Sequence, residues 1–162
     1  MSSTGTETDT STNTDRIEKS VLLRAPRSRV WQALADAKQF GAWFGMQVRG
    51  EFVAGATVQC AIVGGPYDGF TAPLVVDRVE PETFFSFRWH PYAVDRDVDY
   101  SSEPMTLVTF ELADAPGGTQ LRIVEAGFDA IPASRRATAR RMNDRGWAAQ
   151  AQNIARYVDG AA

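Results

Sequence analysis

Apolar positions recur along this chain at two periods, and each change of period marks an element. In IEKSVLLR, Ile17, Lys19, Val21 and Leu23 alternate with Glu18, Ser20 and Leu22, which is the period of a strand. Ala25–Pro26 stops it, because proline holds the residue before it extended and suits the first turn of a helix. RSRVWQALAD then places Val30, Trp31, Leu34 and Ala35 on one helical stripe. A second short helix, AKQFGAWFG, gathers Phe40, Trp43 and Phe44 and closes on Gly45.

From residue 46 to 127 the pattern is all strand: MQVRGEF, TVQCAIV, TAPLVVDRVE, TFFSFRWH, MTLVTFEL and TQLRIVEAGF. Turn signals separate the segments at Ala54–Gly55, Gly64–Gly65–Pro66, Glu80–Pro81–Glu82 and Pro116–Gly117–Gly118. Short links between successive strands predict an antiparallel meander with one buried and one wet face. After Pro132 a long helix is expected over about 133–158. Counted from Ile154, its inner face carries Trp147, Gln150, Ala151, Tyr157 and Val158, and further back Asn143, Arg140 and Arg136. Gly146 interrupts this helix at a cost near ~1 kcal/mol relative to Ala, which predicts a kink or a close backbone approach. The fold class is therefore α+β in β-α-α-β6-α order, a curved sheet gripping the last helix around an internal cavity suited to a small ligand.

Composition narrows the function. Residues 1–15 are Ser, Thr, Gly, Asn and acids with no apolar side chain after Met1, so a disordered tail is expected before a single domain over 16–160. A net charge of −3 gives no electrostatic case for nucleic acid. No apolar run approaches the ~18 residues of a membrane span, and the start lacks a signal's basic and apolar regions, which implies the cytoplasm. The lone Cys60 has no internal disulfide partner, and no Cys/His cluster has metal spacing. No cofactor is expected.

Four stretches carry a family resemblance: APRSRVWQALAD with Trp43 following, VEPETFFSFRW at 79–89, GGTQLRIVEAGF at 117–128 and RGWAAQAQNIARYV at 145–158. Together they resemble the activator-of-Hsp90-ATPase-homologue-like (AHSA1-like) family of the START/Bet v 1-like (SRPBCC) superfamily. The likeness runs over residues 17–159. WHPYAVD…VDYSSEP resembles a bacterial single-domain subgroup. The resemblance implies the helix-grip fold and a cavity that in relatives holds lipids, polyketides, hormones or aromatic compounds. The family name comes from a co-chaperone domain that accompanies a separate N-terminal domain. Residues 1–15 are too short to be that companion, so an Hsp90-type chaperone partner ranks below an apolar or aromatic small molecule.

The sole histidine, His90, shares a strand face with Ser86 and Arg88, so it is expected to point outward, without catalytic duty. Inward-facing positions nominate the cavity lining: Trp43, Cys60, Phe85, Phe87, Trp89, Phe110, Ile123, Glu125, Arg140, Asn143, Trp147 and Ile154. Trp89 and Trp147 are the expected walls. Arg135, Arg141 and Arg145 are expected in solvent, while Arg136 and Arg140 project toward the sheet and can meet Glu125, Asp95, Asp97 or a ligand's carboxylate. Acids alternate in DRDVDY, but the central glycine and closing glutamate of a calcium loop are missing. The long 90–104 connection has the length of a lid or binding loop. Glu125 has no nucleophile–base pair or oxyanion motif beside it, so no catalytic residue is nominated. Two alternatives remain: a cyclase-like or hydrolytic enzyme using Glu125, Arg136 or Arg140 with water, and an interaction module docking through the arginine face.

Overall fold

The computed structural model describes residues 13–159. Strand β1 (Arg16–Leu23) leads into helices α1 (Arg27–Ala35) and α2 (Ala37–Phe44). Six strands follow: β2 (Met46–Arg49), β3 (Thr57–Ile62), β4 (Thr71–Glu80), β5 (Phe84–Trp89), β6 (Thr106–Ala115) and β7 (Gly118–Ala126). A 3-10 turn at Phe128–Ala130 precedes α3 (Ala133–Asp159). The seven strands form one antiparallel sheet ordered β1-β7-β6-β5-β4-β3-β2, which confirms the expected β-α-α-β6-α order and the curved sheet with its long terminal helix. No helix among the described residues is long and apolar enough to cross a membrane.

Local chemistry sets the turns. Asp36 caps α2, its carboxylate accepting from the amides of Lys38 (2.9 Å) and Gln39 (3.2 Å). Gly45, in the left-handed region at φ 95°, ends the helix. β2 starts at once because Gly41 has no side chain to collide with the Met46 carbonyl. The indole N–H of Trp43 donates to the Ala33 carbonyl at 2.8 Å and ties α2 to α1. Phe40 then reaches Phe52, Phe85, Phe87 and Phe110 with ring centroids 5.4–6.5 Å apart, mostly edge to face.

Three expectations need correction here. Gly146 meets no other backbone: the helix is assigned continuously through it and a Cβ there would face open space. Ser86 is fully buried, because a bulge after Val76 lets the Asp77 carboxylate accept from its hydroxyl at 2.8 Å. Residues 13–15, assigned to the tail by composition, bind the fold. The Asp15 carbonyl accepts from the amides of Gly127 and Phe128, and its carboxylate from that of Asp129. The remainder of the expected tail, residues 1–12, lies outside the described residues.

Candidate functional site

The inner face of β7 carries Leu121, Ile123 and Glu125, all buried. Burying a carboxylate costs several kcal/mol unless its oxygens are satisfied. Four neutral groups satisfy Glu125. Trp89 Nε1 (2.7 Å) and Thr106 Oγ1 (2.5 Å) donate to Oε2, and Trp147 Nε1 (2.8 Å) donates to Oε1. Asn143 Nδ2 donates to both oxygens, at 2.9 and 3.2 Å. This joins β5, β6, β7 and α3 at one point, and both oxygens are used as acceptors.

Arg136 and Arg140, the expected partners of Glu125, lie elsewhere. Arg136 donates to the Ile131 carbonyl at 2.9 Å, and Arg140 to the carbonyls of Asn13 (3.1 Å) and Arg16 (2.8 Å). Neither meets Asp95 or Asp97 through these bonds.

Aromatic packing fills the space around Glu125. Trp147 stands 5.8 Å from each of Phe44, Trp89 and Phe110, and is 2% exposed. Trp43, Phe85, Phe87, Phe110, Ile123, Trp147 and Ile154, all nominated as cavity lining, are buried in the packed core instead. Sheet and helix are in contact there.

The vacancy lies toward the other edge of the sheet. A cavity of about 240 Å³ opens between the starts of β2 and β4, the end of β3 and the chain after β5. Cys60 and Ala72 are paired in register on its floor, beside Leu74 and Ile62. Two small inward side chains facing each other leave the space that larger ones close elsewhere. Phe44 and Met46 wall one side, Tyr67 and Phe70 another, and Trp89 and Asn143 separate the cavity from Glu125. Of the nominated residues, Cys60, Trp89 and Asn143 line it. Burial pushes the Cys60 thiol up to about 11, so it behaves as a small apolar group.

His90 lines this cavity, against the outward expectation. The strand ends at Trp89, so the pleat no longer governs the next residue. Its Nδ1 is buried with no hydrogen-bond partner among the described residues. Burial also holds the imidazole below its ordinary 6.5, against the opposing pull of Glu103.

The connection after His90 folds back as a cover, with Tyr92, Ala93 and Val94 against the cavity. Tyr92, at φ 47°, makes the reversal, and its hydroxyl lies 3.5 Å from that of Tyr67. Arg135, expected in solvent, holds this cover down. It pairs with Glu103 at 2.8 Å, donates to the carbonyls of Pro91 (2.8 Å) and Tyr92 (3.3 Å), and lies over the Tyr100 ring at 4.7 Å. With its two side chains only 19% and 18% exposed, this pair is screened less than a surface one. Sequence periodicity could not find it, because its partners lie on an aperiodic loop.

Comparison with known proteins agrees with this architecture. The sequence profile of the family described as Activator of Hsp90 ATPase homolog 1-like protein matches residues 24–159. No curated protein matches the chain. Among solved structures, a Mesorhizobium loti protein, MLL2253, superposes with a TM-score of 0.71 at 23% identity over 91% of this chain and 98% of its own. DynU16, a protein in the dynemicin biosynthetic locus, is 26% identical with a TM-score of 0.68; the match covers 90% of this chain and 47% of DynU16. The Aha1 dimer from Colwellia psychrerythraea superposes at 0.65 with 15% identity, covering 88% of this chain and 95% of that one.

Proposed function

The chain belongs to the Activator of Hsp90 ATPase homolog 1-like family, and from that premise we propose that it binds a small apolar or aromatic molecule in the cavity over Cys60 and Ala72. The observation that carries this reading is the cavity's lining. Phe44, Met46, Ile62, Phe70, Leu74 and Trp89 present an apolar surface, with Tyr67, His90, Tyr92 and Asn143 as its few polar groups. A void of roughly 150 Å³ lined by apolar side chains stays dry and accepts benzene. By that scale 240 Å³ suits one or two rings. DynU16, a protein in the dynemicin biosynthetic locus, is in keeping with such a role.

Binding is favoured over catalysis by Glu125. Both its oxygens are engaged by four donors, and Arg136 and Arg140 are committed to backbone carbonyls away from it. The test is calorimetric titration with naphthalene. Wild-type protein is expected to bind with a Kd of tens of micromolar, about −6 kcal/mol. Ala72→Phe, which fills the floor, is expected to abolish the signal. Heat from the filled variant equal to wild type would refute the assignment. The family's description supplies a second reading, stimulation of an Hsp90-type ATPase. Its test is ATP turnover by the host chaperone with and without this chain.

A further inference from the structure

Glu125 is buried, and the four side chains that bond it, Trp89, Thr106, Asn143 and Trp147, carry no charge. Their chemistry fixes its form. Indole N–H and amide NH2 groups can only donate, and between them they reach both oxygens. A proton on either oxygen would meet a donor instead of an acceptor. The Thr106 hydroxyl, 2.5 Å from Oε2, stands at the length of an O–H bond to an anion. Glu125 is therefore a carboxylate. Its oxygens are satisfied, but these neutral partners leave its net charge uncancelled inside the fold.

That charge lies one side chain away from the cavity. Trp89 and Asn143 each donate to Glu125 and each line the space of about 240 Å³. Away from water, attraction across such a wall is weakly screened. The bond from Trp89 Nε1 to an anion also polarises the indole and makes its ring a better partner for a cation. Phe44, Tyr67, Phe70 and Tyr92 add four more aromatic rings to the lining, which contains no Lys or Arg among the described residues. Phe70 already attracts a cation from outside, because the Arg96 guanidinium lies over its ring at 5.6 Å. The cover carries Asp95, Asp97 and Asp99, all exposed, which draw positive charge toward the cavity, while the exposed Arg96 opposes them.

Building on the cavity reading, we propose that the ligand is a cation: an apolar or aromatic body bearing a quaternary ammonium group, held among the aromatic rings and attracted by the Glu125 carboxylate behind Trp89 and Asn143. A quaternary ammonium suits this lining because it has no N–H that needs an acceptor.

The probes are phenyltrimethylammonium and tert-butylbenzene, which share a shape and differ in charge. Wild type is expected to bind the cation more tightly by about tenfold or more. In 1 M sodium chloride, where the screening length is about 3 Å, that preference is expected to persist, since Glu125 is buried and the acids of the cover are not. Glu125→Gln, which removes the charge and keeps the size, is expected to abolish the preference, with circular dichroism reporting whether the variant folds. If it does not fold, the salt series on wild type decides. If naphthalene and both probes fail to bind wild type, the underlying cavity reading falls. If tert-butylbenzene binds and the cation binds no more tightly, the cation assignment falls and the cavity stands. A preference that disappears in 1 M salt, or survives in folded Glu125→Gln, would overturn the role of Glu125.

Discussion

The inner face of the sheet has two ends that are built differently. At the β5–β7 end, Glu125 gathers four donors and Trp147 packs among Phe44, Trp89 and Phe110, leaving helix and sheet in contact. At the β2–β4 end, Cys60 and Ala72 face each other beneath a loop, and about 240 Å³ stays open. The difference teaches where stability and binding are divided. A satisfied polar network surrounded by aromatic rings fixes α3 on the sheet, which frees the other end to carry small side chains and a vacancy. Trp89 and Asn143 touch both, one face toward Glu125 and one toward the cavity.

The largest blow to this division is Glu125→Ala. It leaves Trp89, Thr106, Asn143 and Trp147 without their acceptor, at about 1–3 kcal/mol for each donor left buried. A loss of about 4 kcal/mol or more in urea unfolding is expected, a large part of a domain's 5–15 kcal/mol. A loss below about 1 kcal/mol would mean the network is not what fixes α3. Inserting a ring at each end sharpens the contrast. Ala139 is fully buried on α3, so Ala139→Phe overpacks and is expected to cost about 3 kcal/mol. Ala72→Phe enters vacant space and is expected to change stability by less than about 1 kcal/mol. Equal losses at the two positions would show that the cavity end is as tightly filled as the other.

Much of the architecture is legible in the sequence, because period-2 and period-3.6 patterns report which side of an element is buried. The same logic places Glu125 and Trp147 inward. It does not separate core from cavity, since Phe85, Phe110 and Cys60 share one pattern and differ only in what stands opposite. The Cys60↔Ala72 pairing, two small residues in register, is the available signal, but it emerges only once the strands are aligned. The pleat rule misplaces His90 because it reaches one residue past the strand's end. Composition misplaces Arg135 because a charge run suggests solvent, while its partners come from a loop without period.

Two smaller effects lie outside the contrast and bound it. Gly146 sits exposed in α3 and an added Cβ would touch nothing, so Gly146→Ala is expected to stabilise by about 1 kcal/mol without altering naphthalene affinity. A destabilised variant would reveal a contact that α3 needs. The smallest effect is a pH slope at the cavity rim. His90 is held below 6.5 in the folded protein, chiefly by burial, with Glu103 and Asp99 opposing and Arg135 adding to the depression. As pH falls below 6.5 the unfolded chain takes the proton first, so this contribution is fully present above 6.5 and is lost as pH drops. Asp77 and Glu18, both lowered by hydrogen bonds from their partners, lose theirs only below the ordinary carboxylate values of 3.8 and 4.5. His90→Gln is expected to flatten the upper part of the acid limb and leave the lower part intact, read from urea midpoints across pH. An unchanged upper limb would assign that slope to another group.

The central claim is that a ligand enters the β2–β4 end and leaves the β5–β7 end untouched. Methyl NMR of protein labelled at Met, Ile and Leu, titrated with naphthalene, reads both ends in one spectrum. Shifts are expected at Met46, Ile62 and Leu74, which line the cavity, with Leu121, Ile123 and Ile154 unmoved in the packed core. Shifts concentrated at Ile123 and Ile154, with Ile62 and Leu74 silent, would place the ligand between α3 and β7 and contradict the account.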